Sequence, residues 1–366
     1  MIDNFDYSNI LQRDLIQLNL KKYTSYVKDK RVLITGAGGT IGSEIARQLL
    51  FGHASRLYLF GHGENSIYKI EKELKNLVSK KDKAHIIPII GELQDREYIK
   101  FLLKRLNVDV VFHTAAHKHV PLTEANPVET IKNNVFGTKN LVDASVEANV
   151  DKFIFISSDK SVEPVCVYGV SKKLAEEIIL NKNNHRFLVV RFGNVLCSKG
   201  SVIPLFKEQI LNGGPVTITD KEAKRFFMTI PEAVSLVLKI GGMGTGGELY
   251  LLEMGEQIKI TDIAERVMNQ MGTSVPVEYT GLRFGDKIEE KLWSHDEEPK
   301  KTRFDKILKV IRPKEKIDID TILEKLKPIC FFDSTFPHLY RRRNILREIL
   351  SSYFPTLQIP QKEANY

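Results

Sequence analysis

From residue 31 onward the chain alternates short, nearly continuous apolar runs with longer stretches whose apolar positions recur every three or four residues. The runs are RVLITG, RLYLFG, HIIPIIG, DVVFHTA, KFIFISS and FLVVRF, rich in β-branched and aromatic residues. Strands covered by helices on both faces read this way, because neither face alternates with solvent. Between the runs, IGSEIARQLL, ENSIYKIEKELKNLV and ETIKNNVFGTKNLVDASVEA carry helical periodicity. Repeated strand–helix alternation predicts an α/β fold, a Rossmann-type doubly wound parallel sheet.

After about residue 194 the regularity gives way to loops (SKGS, NGGP, GMGTGGE), helices (PEAVSLVLKI, TDIAERVMNQM) and short strands (ELYLLEM, PVEYTG). The pattern predicts a cofactor-binding domain over 31–194 and a smaller α/β substrate-binding lobe over 195–329, sharing chain with the first and closing over its strand ends. Residues 1–30 read as a helical lead-in and 330–366 as a helical appendage.

Charge and composition narrow the function classes. The net charge is +8, with much of the excess late in KILKVIRPKEK and LYRRRNILREIL. No aromatic–basic interleaving accompanies it, so the expectation is a solvated helix face and no nucleic-acid partner. No apolar run approaches the roughly 20 residues that span a bilayer, which argues against membrane insertion. The N-terminus lacks a basic-then-apolar layout, so no signal peptide is expected. Cys166, Cys197 and Cys330 show neither metal spacing nor a disulfide framework, consistent with a cytoplasmic location.

Two stretches carry chemistry. GAGGTIGSE, with Gly36, Gly39 and Gly42, follows a strand and opens a helix, the arrangement that lets backbone amides and a helix N-terminus receive a pyrophosphate. The second strand ends at Phe60-Gly61, where an acid normally holds the adenosine ribose. Gly61 with His62 beside it favours NADP over NAD; Glu92, after the third strand, is a candidate adenine-side contact. The second stretch is SSDKSVEPVCVYGVSKK. Tyr168 and Lys172 lie one turn apart on one helix face, where the lysine is expected to lower the phenol pKa so that it can act as a base. Asp159 and Lys160 emerge from the preceding strand as a second acid–base pair. A simple dehydrogenase does not need that pair, whereas elimination of water after oxidation of a sugar does.

These residues, with FHTAAHKHVPLTEANP, NNVFGTKNL, RFGNVL, GSVIPLFKEQI, RFFMTIPEAV and GLRFGDK, resemble the UDP-N-acetylglucosamine 4,6-dehydratases, extended short-chain dehydrogenase/reductases of polysaccharide biosynthesis. The resemblance spans about residues 11–295. It implies a tightly bound NADP or NAD, a UDP-sugar substrate and a homo-oligomer. It also implies Asp159 as acid at C6, Lys160 as base at C5, Ser158 orienting the sugar, and Tyr168 deprotonating the 4-hydroxyl. Asn134 would support the network, and His117 and Lys118 would line the sugar pocket. Asn194, Arg225 and Arg283 would hold the UDP portion, with Ser201 and Thr217 as further substrate contacts. Thr40, Ile41, Leu93 and Ala115 complete the expected cofactor site, which Tyr168 and Lys172 also border.

Three features depart from the family pattern. Large members begin with membrane-spanning helices, whereas here LQRDLIQLNL resembles only their linker, so a short soluble form is expected. Gly61 stands where many relatives have an acid. Tyr168 stands where some members that keep the C5 configuration have methionine.

Overall fold

The computed structural model describes residues 5–19, 23–50, 52–78, 84–182, 186–313 and 317–361. The six predicted strands form as β1 (Arg31–Thr35), β2 (Arg56–Gly61), β3 (His85–Ile90), β4 (Val110–His113), β5 (Lys152–Ile156) and β6 (Phe187–Arg191). They belong to one nine-stranded sheet, in the order Glu298–Lys301, Ile307–Ile311, Glu248–Leu252, β6, β5, β4, β1, β2, β3. The strands from Glu248–Leu252 to β3 pair in parallel. The last two pairings, at the Glu298–Lys301 edge, are antiparallel. Strand order reverses at β1, which has β2 on one side and β4 on the other. The crevice beyond the strand ends at such a switch point is where this architecture binds ligands.

Every residue of β4 and β6 is buried, as continuous apolarity predicts. β3 differs: it is the edge strand, only partly buried, and carries Pro88. Proline cannot donate to a further strand, so it suits an edge. The opposite edge, Glu298–Lys301, carries Lys300 and Lys301, charges that discourage pairing with another chain.

The segment expected to form a separate lobe divides its residues between two cores. Glu248–Leu252 and Ile307–Ile311 extend the main sheet, and the helix Ile230–Met243 buries Val234, Val237 and Leu238 in the main core. A second core gathers Ile203, Phe206, Val216, Ile218, Ile263 and Val267, joined by Ile10 and Leu11 from the start of the chain. The expected lead-in is helical in part. Among its described residues, Tyr7–Leu11 forms a helix and Ser25–Val27 a 3-10 turn. Beyond the first helix the chain runs across the start of helix Ile230–Met243. There Glu232 receives the Arg13 guanidinium (2.7 Å) and the Ile16 amide (2.6 Å), side-chain bonds that replace a helical ladder. Residues 1–4 and 20–22 of the lead-in lie outside the described residues.

The C-terminal helices are Ile319–Cys330 and Arg343–Tyr353, so the helical region begins before the expected boundary. Its basic face is not wholly solvated. Arg347 is buried and donates to the Glu124 carboxylate (2.6 Å) and carbonyl (2.8 Å). Among the described residues no helix is long and apolar enough to cross a membrane, and no cluster of His, Cys, Asp and Glu could hold a metal.

Candidate active site

The glycine loop joins β1 to the helix Thr40–Leu50. Gly36 has φ +68°, and a Cβ there would lie 2.8 Å from the Ala115 backbone at the end of β4. A Cβ on Gly42 would lie 2.4 Å from the Gly36 carbonyl oxygen. These positions therefore require glycine, and the resulting cradle at a helix N-terminus fits a dinucleotide pyrophosphate. Thr40 and Ile41 open the helix. Lys199 crosses the loop from the second lobe, its Nζ donating to the Gly38 carbonyl (2.9 Å) and its amide to the Thr40 hydroxyl (3.2 Å). No motif or spacing marked this lysine in the sequence. Beyond the ends of β2 and β3, His62 and Glu92 stand 4.0 Å apart, both exposed, while Leu93 is buried.

Beyond the end of β5, the candidate catalytic residues are held by a turn, a helix and a buried ion network. β5 ends at Ile156, and Ser158 then caps a one-turn 3-10 helix, Asp159–Ser161. Tyr168, Lys172 and Glu176 lie at successive four-residue steps on the helix Val167–Leu180, so they share a face. Glu176 ties the two elements together by accepting from the hydroxyls of Ser157 (2.5 Å) and Ser161 (2.7 Å). Behind it, the fully buried Arg191 of β6 forks onto Glu176 (2.7 and 3.1 Å) and Glu297 (2.7 and 3.1 Å). This buried network fixes Asp159 and Lys160 relative to Tyr168 before any ligand arrives.

Asp159 and Lys160 are not a solvated pair. Asp159 is completely buried, accepts from Ser158 Oγ (3.0 Å) and stands 3.4 Å from Lys160 Nζ; its second oxygen has no hydrogen-bond partner. Burial raises its pKa above the ordinary carboxyl range, against the pull of Lys160. Burial lowers the pKa of Lys160, but Asp159 and Glu290 outweigh it and hold the ammonium above its usual value. Glu290, which was not anticipated from the sequence, is buried with Oε1 2.9 Å from Lys160 Nζ.

The phenol of Tyr168 is pushed up to about 12 by burial, opposed by Lys160 and by a hydrogen bond with Ser158. The expectation that Lys172 lowers it is corrected. Lys172 is buried against the Phe155 ring, donates to the Ile156 carbonyl (2.6 Å) and is itself lowered to about 7 by burial. The cation acting on the phenol here is Lys160.

Asn134 occupies a π-helical turn, Lys132–Phe136, within the stretch ETIKNNVFGTKNLVDASVEA that carries helical periodicity. π-turns of this kind recur at functional sites because they turn extra side chains inward. Asn134 accepts from the His117 amide (2.8 Å) and donates to the His117 carbonyl (2.9 Å) and Ser171 Oγ (3.0 Å), so it braces the segment carrying Lys118. Burial lowers the pKa of both His117 and Lys118; Lys118 feels Lys160, and its Nζ reaches Ser198 at 3.4 Å.

The expected UDP contacts are less uniform. Arg225 donates to the carbonyls of Lys224 (2.7 Å), Lys287 (2.7 Å) and Ile288 (2.9 Å), so its fork organises the loop around Glu290 and does not project freely. Arg283 is exposed and pairs with Asp286 at 3.0 Å. Thr217 is held by Gln209 (2.7 Å), and Asn194 pairs through its backbone with Phe226 (3.0 Å). Ser201 precedes helix Val202–Leu211 with its buried hydroxyl unpartnered.

The C-terminal region braces the same site. Arg347 holds Glu124, whose other oxygen accepts the amide of Val167 (2.7 Å), the first residue of the Tyr168 helix. The Gln358 side chain accepts the Gly285 amide (3.1 Å), and Thr356 Oγ1 donates to the Pro164 carbonyl (2.9 Å). Arg347→Met leaves Glu124 buried without its cation. It should cost about 3 kcal/mol of stability, read as a lower urea midpoint at unchanged slope.

The family of polysaccharide biosynthesis proteins matches the chain over residues 32–312. The chain is 42% identical to the capsular polysaccharide biosynthesis protein CapD of Staphylococcus aureus, over 88% of this chain and 55% of that one. It is 45% identical to the probable polysaccharide biosynthesis protein EpsC of Bacillus subtilis, over 82% of this chain and 51% of that one, so it spans about half the length of these relatives. It is 32% identical to an inverting UDP-N-acetylglucosamine 4,6-dehydratase of Campylobacter jejuni, over 73% of this chain and 78% of the relative. Among solved structures, Pen from Bacillus thuringiensis superposes with TM-score 0.71 at 31% identity, over 80% of this chain and 89% of that one. With its doubly wound sheet, glycine loop and Tyr168–Lys172 helix, the chain belongs to the polysaccharide biosynthesis protein family of extended short-chain dehydrogenase/reductases.

Proposed function

We propose that the protein is a nucleotide-sugar 4,6-dehydratase that converts UDP-N-acetylglucosamine to a UDP-4-keto-6-deoxy-N-acetylhexosamine and water. The observation that carries this reading is the buried Asp159 next to Lys160, a carboxyl disposed to keep its proton beside the tyrosine of the oxidation step. A C4 epimerase needs Tyr168 but has no use for such a donor. The relatives support the class, since they include the Campylobacter jejuni dehydratase and UDP-glucose 4-epimerases such as that of Rickettsia canadensis, 30% identical over 92% of this chain.

When bound at the glycine loop, a nicotinamide dinucleotide would supply the oxidant for C4 and return the same electron pair to C6. Tyr168 takes the proton of the 4-hydroxyl. Its phenol must fall from about 12 for this, and the Lys160 ammonium already acts in that direction. The C4 ketone acidifies the C5 hydrogen. Lys160, as the neutral amine, takes that proton; the electrons left behind form the C5–C6 double bond as the C6–O bond breaks, and Asp159 gives its proton to the departing hydroxyl, completing water. Glu290 and Asp159 hold Lys160 charged in the ligand-free site, so its ammonium must release a proton to solvent after C4 oxidation and before it takes the C5 proton.

His117 and Lys118 line the sugar side, with Asn134 bracing their backbone. NADP, favoured by Gly61 and His62, competes with NAD through Glu92, the carboxylate that faces His62. Incubating the protein with UDP-N-acetylglucosamine and no added oxidant tests the reading by product mass. Loss of water with a ketone supports it; an isomer of unchanged mass would make the protein an epimerase.

A further inference from the structure

Glu290 lies seven residues beyond Arg283 in GLRFGDKIEEKL, a loop with no periodicity to announce a buried acid. It is nonetheless buried, and three cations surround it. Oε1 is 2.9 Å from Lys160 Nζ and 3.9 Å from Arg225 Nε, and Oε2 is 3.7 Å from Lys287 Nζ. Asp159 competes for the same ammonium from 3.4 Å, with only the Ser158 hydroxyl as a further bonded partner. One ammonium thus faces two buried carboxyl groups, and the geometry ranks them. Glu290 has the shorter contact and two further cations, which favour its charged form. Each carboxyl keeps one oxygen without a hydrogen-bond partner, so the cations decide: Asp159, with the more distant ammonium as its ion-pair partner, is the poorer setting for a charge and an adequate one for a carboxylic acid.

We propose that Glu290 is a positioning residue that serves as the standing counter-ion of Lys160, and that by doing so it leaves Asp159 as the proton carrier of the pair. The charged and titratable groups facing this cluster come from every side. Lys160 and Asp159 lie on the 3-10 turn, Arg225 on the Lys224–Arg225 strand, and Lys287 on the loop of Glu290 itself. Cys166 precedes the Tyr168 helix, and Lys118 faces Lys160. The negative charge of Glu290 disfavours a second negative charge on Asp159, and its hold on Lys160 weakens the ammonium's pull on Asp159. Both effects act in one direction.

The inference deepens the dehydratase reading in its role for Asp159, but its test does not depend on turnover. Carboxyl carbon NMR of the ligand-free protein, with the Asp159 signal assigned by its disappearance in Asp159→Asn, gives the Asp159 titration midpoint directly. In Glu290→Gln, which keeps the shape and removes the charge, the midpoint should fall by roughly one pH unit or more. Glu290→Asp keeps the charge but withdraws it from Lys160. It should give a smaller shift in the same direction, and it carries the test if the glutamine variant does not fold. A midpoint that stays in place, or rises, in a folded Glu290 variant overturns the proposal. Failure of the wild-type protein to release water would sink the dehydratase reading and leave this titration result standing.

Discussion

Asp159→Asn should lower the rate of water release 10²–10⁴-fold, the usual weight of a positioned proton donor, while C4 oxidation of the sugar continues. Asparagine is nearly isosteric and keeps an oxygen facing Ser158 and Lys160, so the surroundings of Tyr168 should stay intact. The amide has no proton acidic enough to give to the C6 hydroxyl, and the reaction should stall at the 4-ketone. Rapid-quench analysis would then show oxidised sugar without water loss, and absorbance at the nicotinamide band would rise without decaying. Equal loss of both steps would mean that Asp159 shapes the pocket and does not act in elimination.

The second large effect is on stability. Arg191 is the sole basic residue forking onto both Glu176 and Glu297 in the described network, and all three are buried. Arg191→Met should destabilise the protein by about 3–5 kcal/mol, because two buried carboxylates lose the guanidinium they share. Of the two, only Glu297 keeps a second ion-pair partner among the described residues, the more distant Lys173 at 3.9 Å. The pH dependence should change sign as well. In the wild type Glu176 is held at about 2, below its ordinary 4.5, by Arg191. Its contribution is complete above about pH 4.5 and is lost as pH falls towards 2. Without Arg191, burial, the largest effect on this carboxyl, is opposed by the Lys173 charge and the Ser157 and Ser161 hydroxyls and should raise it above its unfolded value. The variant should therefore gain stability on acidification from neutral pH to about 5, where the wild type does not. Urea titrations at several pH values would read both effects.

The sequence made the frame of this site legible for a physical reason. β1, β4, β5 and β6 are covered on both faces, so their apolarity is continuous, and the glycine loop needs positions without a Cβ. The Tyr168–Lys172 spacing is local and could be read from one helix. What escaped depends on distant partners. Glu290, Glu176 and Arg191 look like surface charges until the fold brings them together across 15 to 130 residues of chain. Glu298–Lys301 reads as a charged loop because it is an edge strand. Arg347, in a basic run that suggested solvent, is drawn inward by Glu124. The role assigned to Lys172 failed differently: proximity in sequence to Tyr168 was real, but its ammonium turns to the end of β5.

The central claim is that two proton-handling groups beside Tyr168 act on one sugar skeleton after oxidation. Proton NMR of the product formed from UDP-N-acetylglucosamine in D₂O tests it most directly. The account predicts a 4-keto-6-deoxy sugar with solvent deuterium at C5, and the same spectrum gives the configuration at C5. A 6-hydroxy product inverted at C4, with hydrogen retained at C5, would contradict it.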